Sequence, residues 1–120
     1  MLTELGKYLR VLRRQRGELL KDMADRLSMS PAMLSSVENG SRNAPKDFVQ
    51  RLASTYKLDA SEQERLGLAI ACTKEEVAMS LKGLSQSDQH LAFSFARRFS
   101  ELDAGDKDSI RRILDKGGEV

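Results

Sequence analysis

The sequence contains very little cysteine or histidine, with Cys72 and His90 as the single residues of each type. A lone cysteine cannot form an internal disulfide, which fits a reducing, cytoplasmic environment. Neither residue has a partner at metal-ligand spacing such as C-x-x-C or H-E-x-x-H, and there is no Gly-rich phosphate loop. These absences argue against an enzyme, a metal site and any other cofactor. We expect Cys72 to be a small buried hydrophobic residue and His90 to lie at the surface.

Long apolar stretches are also missing. The longest, residues 66–72, is interrupted by Gly67, whereas a membrane span needs roughly 18 apolar residues. The N-terminal stretch MLTELGKYLR lacks the charged-then-apolar layout of a signal peptide. A chain of 120 residues has room for one compact unit, or for one small domain with an appendage. We therefore expect a cytoplasmic protein that does not enter a membrane.

Charge is spread unevenly along the chain. Residues 1–60 hold 11 Lys or Arg against 7 Asp or Glu, whereas residues 61–120 hold 9 against 11. The first half thus carries a net charge of +4 and the second half −2. A basic first half is a modest indication of a polyanionic partner, although an ordinary solvated surface explains the same numbers.

Apolar residues recur at helical spacing along the whole chain, and no strand-like alternation is present, which predicts an all-α fold. A first helix carries Leu5, Leu9 and Leu12 on one face and ends at Gly17. A fourth helix follows Pro45, and Ser61 to Glu64 form a capping box that predicts the start of a fifth. That helix meets no firm stop before Gly83, which leaves room for it to extend that far. The buried stripe predicted for the fourth helix is Phe48, Val49, Leu52, Ala53 and Tyr56, and two further helices contain Leu91 to Leu102 and Ile110 to Leu114.

Between the first and fourth helices lie two short helices joined by the turn Ser28-Met29-Ser30. The third helix has Ser30 as its expected N-cap and Pro31 at its first position, and it ends at Asn39-Gly40. A buried Ala24 lets the two helices cross closely, and apolar residues on both helices fix their angle. This is the pattern of a helix-turn-helix unit, whose second helix can enter a major groove about 12 Å wide. The apolar residues that fix the angle are Leu27, Leu34 and Val37.

Residues 5–56 resemble the phage-repressor type of helix-turn-helix domain, the Cro/cI or XRE family. The resemblance rests on LGKYLRVLRRQRG as first helix, DMADRL as second helix, SMS as turn and SPAMLSSVENG as recognition helix, with the ending LSSVENG the most specific part. It implies a five-helix DNA-binding domain, which we place at residues 1–70. It also implies a partly buried ion pair between Arg13 and Glu38 that ties the first helix to the recognition helix.

The resemblance further implies which residues touch double-stranded DNA. Only small or flexible side chains stand at the base-reading positions, so the helix can lie deep in the groove, and direct readout should be soft, with DNA shape contributing. Phosphate contacts should therefore supply most of the affinity. The expected base-contacting residues are Pro31, Ala32, Ser35 and Ser36, with Met33 at the margin, and the expected phosphate-contacting residues are Lys21, Asn39, Arg42, Asn43 and Lys46.

The start of the second helix departs from the family. A small polar cap followed by a phosphate-binding glutamine is usual there, but this chain has Leu19 and Leu20, and Glu18 stands at the preceding apolar position. We expect Leu19 or Leu20 to fill the core site that Glu18 vacates. Lys21 is then the candidate to replace the missing phosphate contact.

The C-terminal extension, residues 71–120, lies outside the resemblance. A stripe of Leu91, Phe95, Phe99 and Leu102 is too apolar for an isolated solvated helix. It can pack on the chain's own domain, on a second copy or on a different protein, and we favour a second copy. Two modules would then share one binding event and recognise an inverted repeat.

Together these features predict a sequence-specific transcriptional regulator of a bacterium or phage, most simply a repressor that binds a palindromic operator as a homodimer. The alternative is an antitoxin that binds a toxin through its C-terminal helices and autoregulates its operon. The resemblance accommodates both functions.

Overall fold

A computed structural model describes residues 2–118, and every regular element in that range is helical. The helices are α1 (Glu4–Arg16), α2 (Leu20–Arg26), α3 (Pro31–Glu38), α4 (Phe48–Tyr56), α5 (Ala60–Lys74), α6 (Gln86–Arg98) and α7 (Ala104–Gly118), with a 3-10 turn at Phe99–Glu101. The all-α prediction is confirmed. None of the helices in this range is long and apolar enough to cross a membrane. The described chain divides between Ala78 and Met79 into two compact units.

The first unit contains the hydrophobic core, which α1 to α5 build together. Gly17 ends α1 with φ +65°, as the sequence predicts, and its N–H bonds to carbonyls of the last turn. The N-terminal end of α1 is tied to α5, since the backbone N–H of Leu5 donates to Thr73 Oγ1 at 3.1 Å. The buried apolar residues are Leu5, Leu9, Leu12, Met23, Ala24, Leu27, Met29, Leu34, Val37, Phe48, Leu52, Tyr56, Leu58 and Leu66.

Helix α5 is shorter than the sequence suggests, and its cap lies elsewhere. Asp59 is the N-cap, because its Oδ1 accepts from the Glu62 N–H at 2.8 Å, and Ser61 lies inside the helix. The helix ends at Lys74 because Glu75 adopts φ +58°, and the N–H of Glu76 then bonds to the Ala71 carbonyl at 3.1 Å. Val77 beyond this point is 83% exposed. The helix therefore does not continue to Gly83, a possibility that the sequence left open.

Cys72 is exposed, which corrects the expectation that it is buried. The face of α5 that meets the core carries Leu66 and Ala69, whereas Leu68, four residues before Cys72, is 63% exposed. Residues four apart share a helix face, so Cys72 and Leu68 lie on the outer side of α5. His90 lies exposed on α6, as expected.

The second unit contains α6, the 3-10 turn and α7, and α6 contains no buried residue. Ser85 caps α6 by accepting from the Asp88 N–H at 3.1 Å. The rings of Phe95 and Phe99 meet edge to face, with centroids 5.5 Å apart. Leu91 is nevertheless 68% exposed, and Phe95 and Phe99 are each 46% exposed. This unit therefore presents its apolar residues largely to solvent.

Candidate nucleic-acid interface

Helix α3 is anchored along one face and open along the other. Its N-terminus is capped as predicted, because Ser30 Oγ accepts from the Met33 N–H at 3.1 Å and Pro31 occupies the first helical position. Leu34 and Val37 are fully buried and fix the helix on the core. Of the expected base-contacting residues, Pro31, Ala32 and Ser35 are exposed, whereas Met33 and Ser36 are half-buried and Met33 also packs against the core.

The turn before α3 sets its direction. Leu27 follows α2, and Ser28 then takes the left-handed conformation with φ +55°, which is uncommon for a residue with a Cβ. Met29 is buried, and its N–H donates to the Ala24 carbonyl at 2.9 Å. Ala24 itself has no exposed surface. The turn therefore folds back onto α2 and holds α3 at a fixed angle to it.

The C-terminal end of α3 is held close to the N-terminus of α1. Thr3 Oγ1 donates to the Glu38 carbonyl at 2.6 Å. A Cβ added at Gly6 would lie 2.5 Å from the same carbonyl oxygen, so only glycine permits this approach. Sequence reasoning missed this contact, since a glycine inside a helix shows no pattern that names its neighbour.

Arg13 of α1 and Glu38 of α3 form a largely buried ion pair. Arg13 Nη1 lies 2.8 Å from Glu38 Oε1, and the two side chains are only 10% and 8% exposed. Glu38 Oε1 accepts no well-aligned hydrogen bond within the described residues, so the contact is mainly coulombic. Because one residue belongs to α1 and the other to α3, the pair ties the two helices together.

The segment after α3 forms a tight, polar turn. Asn39 Oδ1 accepts from both the backbone N–H and the hydroxyl of Ser41, at 2.9 and 2.6 Å, and the Arg42 N–H donates to the Ser36 carbonyl at 3.1 Å. The side-chain amide of Asn39 keeps its NH2 group for an outside acceptor. Gly40 adopts φ +83°, as a turn residue that follows a helix commonly does.

Three of the expected phosphate-contacting residues lie together. Arg42, Asn43 and Lys46 are exposed and line one depression between this segment and α5, where Lys74 joins them. Lys21 is exposed in the first turn of α2 and does not line that depression. The structure therefore brings together a cationic group on one side of α3, and Lys21 lies apart from it.

Glu18 was expected to leave the core, but its side chain remains largely buried. Its side chain is only 12% exposed, it forms an ion pair with Arg26, and its Oε2 accepts from the Tyr56 hydroxyl at 2.6 Å. The Arg26 guanidinium also lies 4.8 Å from the centre of the Tyr56 ring. Burial, together with the hydrogen bond to Glu18, raises the pKa of Tyr56 above its ordinary value. Glu18 is kept because Tyr56 and Arg26 satisfy its charge, an arrangement that spacing along the chain does not reveal.

Neither the N-cap of α2 nor its first residue offers a polar side chain to a phosphate. Leu19 is 73% exposed, and Leu20 packs against the core, as one of the two leucines was expected to do. The Leu19 N–H is already occupied by Asp22 Oδ2 at 2.9 Å. A carboxylate at this helix end opposes the approach of an anion.

Comparison with known proteins gives one match. No curated protein and no solved structure matches the chain, but residues 4–66 match the family model described as "Helix-turn-helix domain". The matched segment contains the buried turn, the open face of α3 and the Arg13–Glu38 pair described above. Since it spans more than half of the chain, the protein belongs to the helix-turn-helix domain family, in keeping with a DNA-binding protein of the XRE type.

Proposed function

We propose that the protein is a sequence-specific transcriptional regulator that inserts α3 into the major groove of duplex DNA. The observation that carries this proposal is the one-sided burial of α3, with Leu34 and Val37 in the core and Ala32 and Ser35 at the surface. Small outward side chains let a helix approach the base edges, where serine donates or accepts and alanine meets a thymine methyl.

Phosphate contacts supply most of the affinity in this proposal. Arg42, Asn43 and Lys46 lie together beside the C-terminal end of α3, where one sugar–phosphate ridge would pass. Two further candidates lie outside this group: the NH2 group of Asn39, which lines a separate depression with Ser35, and Lys21 near the start of α2. Such contacts fix position and carry little sequence information, so the outward side chains of α3 and DNA shape provide specificity.

The protein acts as a homodimer in this proposal, through the apolar stripe Leu91, Phe95, Phe99 and Leu102. These side chains are exposed or half-exposed, and Phe93 and Ile113 of the same unit are also exposed. Burying one leucine or phenylalanine stabilises by about 1.5–3 kcal/mol. A set of them from two copies offsets the roughly 4–15 kcal/mol that association costs.

Two paired modules explain how a soft base readout still gives specific binding. Each module recognises half of an inverted repeat, with half-site centres about one helical turn apart. The simplest consequence for transcription is repression, because a dimer on such an operator blocks access of polymerase.

Selection of bound duplexes from random DNA, with the mass of the complex measured alongside, tests this function. We expect enrichment of an inverted repeat and a mass of two chains per duplex. Enrichment of a single half-site by one chain would contradict the dimer, and failure to enrich any sequence would contradict specific DNA binding.

The exposed aromatic residues of the second unit also favour an antitoxin, whose C-terminal helices would cover a toxin. A chain truncated after Ala78 separates the two functions, since every residue of the hydrophobic core precedes that point. Loss of the dimer together with the preference for an inverted repeat supports the repressor. A truncated chain that remains dimeric on its operator would assign the second unit to another protein.

A further inference from the structure

A second depression lies on the opposite side of α3 from the cluster of Arg42, Asn43 and Lys46. It lies between α1, the start of α2 and the C-terminal end of α3, and its volume is about 290 Å³. This is at the lower limit of the about 300–1,000 Å³ of small-molecule pockets, so it suits a single chemical group better than a whole ligand. Its lining residues are Leu2, Arg10, Arg13, Leu20, Ser35, Glu38 and Asn39.

Arg10 is the available cation of this depression. Arg13 also lines it, but its charge is taken up by Glu38 at 2.8 Å. Arg10 is exposed on α1, and within residues 2–78 its guanidinium forms no ion pair or hydrogen bond. With two arginines against one carboxylate, the depression has an excess of positive charge. The NH2 group of Asn39 adds a neutral donor at its edge.

A duplex around an inserted α3 would bring phosphates to both of its sides. A helix in the major groove lies between two sugar–phosphate ridges, one on each side. In the proposed complex, the ridge on one side of α3 is contacted by Arg42, Asn43 and Lys46. On the other side, the N-cap and the first residue of α2, Leu19 and Leu20, carry no polar side chain, and the Leu19 N–H is bonded to the Asp22 carboxylate. Lys21 does not line the depression, whereas Arg10 does.

We propose that Arg10 binds a phosphate of the DNA strand that passes over the α1 side of α3, from the depression it shares with Ser35 and Asn39. This inference rests on the proposed insertion of α3 into DNA and adds a residue of α1 to the interface. A guanidinium presents several N–H donors in a fixed plane and remains charged at any working pH, which suits a phosphate.

The experiment compares the full-length wild type with Arg10→Ala, Arg10→Lys and the matched control Arg65→Ala. Arg65 is an exposed arginine of the same unit, which lines a different groove with Val11 and Leu68. Affinity is measured by fluorescence anisotropy on the duplex enriched by selection and on a duplex of mixed sequence, from roughly 50 to 200 mM salt. Thermal unfolding of each variant shows that the fold is kept.

We expect Arg10→Ala to weaken binding to both duplexes by the same factor. It should also reduce the slope of log K against log salt by about 0.9 per bound protomer, the value of one released counterion. Arg10→Lys should retain the wild-type slope, and Arg65→Ala should match the wild type throughout.

Three results would overturn the inference while leaving the proposed function intact: an unchanged slope in Arg10→Ala, a loss confined to the selected duplex, or an equal loss of slope in Arg10→Lys. A wild type that binds neither duplex in a salt-dependent way would instead contradict the proposed function itself.

Discussion

At the scale of single residues, the contact between Arg13 and Glu38 removes two charges almost completely from water. A buried charge that loses its partner is destabilising by about 3–5 kcal/mol when burial is complete. Since the two side chains keep 10% and 8% exposure, we expect Arg13→Ala and Glu38→Ala each to lower the free energy of unfolding by about 3 kcal/mol. Urea denaturation measures this value.

The double variant tests whether the two charges act as a pair. Once both are absent, no lone charge remains, so the double variant should lose clearly less than the two single losses added together. Strict additivity would show that Arg13 and Glu38 do not interact in solution.

Gly6 makes the crossing of α1 and α3 possible, and Gly67 provides a matched control. Alanine at Gly6 would place its Cβ 2.5 Å from the Glu38 carbonyl oxygen, whereas nothing lies within 4 Å of a Cβ at Gly67. Both glycines are helical, so helix propensity alone favours alanine by about 1 kcal/mol at each. We expect Gly6→Ala to lower the thermal midpoint and Gly67→Ala to raise it. A rise in both would show that α1 and α3 do not approach this closely.

Tyr56 makes stability depend on alkaline pH. Its raised pKa means that the folded protein keeps the phenolic proton at pH values where the unfolded chain, whose tyrosine titrates near 10, has lost it. The contribution of Tyr56 to the free energy of unfolding is therefore retained below pH 10 and falls as the pH rises above it. Tyr56→Phe should show a shallower fall in denaturation series on either side of this pH. Burial also raises the pKa of Tyr8, so Tyr8 makes the same contribution to this fall in the wild type and in Tyr56→Phe.

Residues such as these were unequally predictable. Arg13 and Glu38 could be paired in advance because they stand in a motif. Gly6 and Glu18 could not, because their roles depend on Glu38 and Tyr56, which are 32 and 38 positions away in the chain. A long-range contact of this kind leaves no local spacing to detect.

At the scale of elements, α3 and the loop after it should contribute differently to DNA binding. Ser36→Tyr should weaken binding to the selected duplex more than to a mixed one, because only the selected sequence provides its base contact. For a single hydroxyl this contact lies at or below the low end of the about 1–3 kcal/mol of a bidentate pair. Lys46→Ala should weaken both alike and lower the salt slope by about 0.9. Anisotropy titrations on the two duplexes distinguish these patterns. If Ser36→Tyr lowers the affinity for both duplexes equally, Ser36 does not contact the bases. If Lys46→Ala lowers the affinity mainly for the selected duplex, Lys46 does not contact a phosphate.

Element boundaries were predictable where capping chemistry is local. The start of α3 was predicted from Ser30 as N-cap and Pro31 at the first position, and the end of α1 from Gly17. The structure has both helix ends at these residues. The end of α5 was missed because Glu75, a residue with no special preference, adopts the left-handed conformation. The helix stops where its core contacts stop, and that limit is set by the tertiary fold.

At the scale of the whole molecule, the sequence predicted an all-α chain, and every regular element of residues 2–118 is helical. Within these residues the buried core cluster lies before Ala78. The apolar stripe of the second unit was also visible in advance. What covers it was not, because exposed leucine and phenylalanine favour an interaction surface without specifying the molecule that binds there.

In the proposed complex, the outward face of α3 is the surface that meets the bases. Chemical-shift mapping by NMR, with the full-length protein titrated with its selected duplex, tests this most directly. We expect the largest shifts at Ala32, Ser35 and Ser36, with smaller ones at Arg10 and Lys46. Shifts confined to the outer side of α5 around Leu68 and Cys72, with α3 unperturbed, would contradict it.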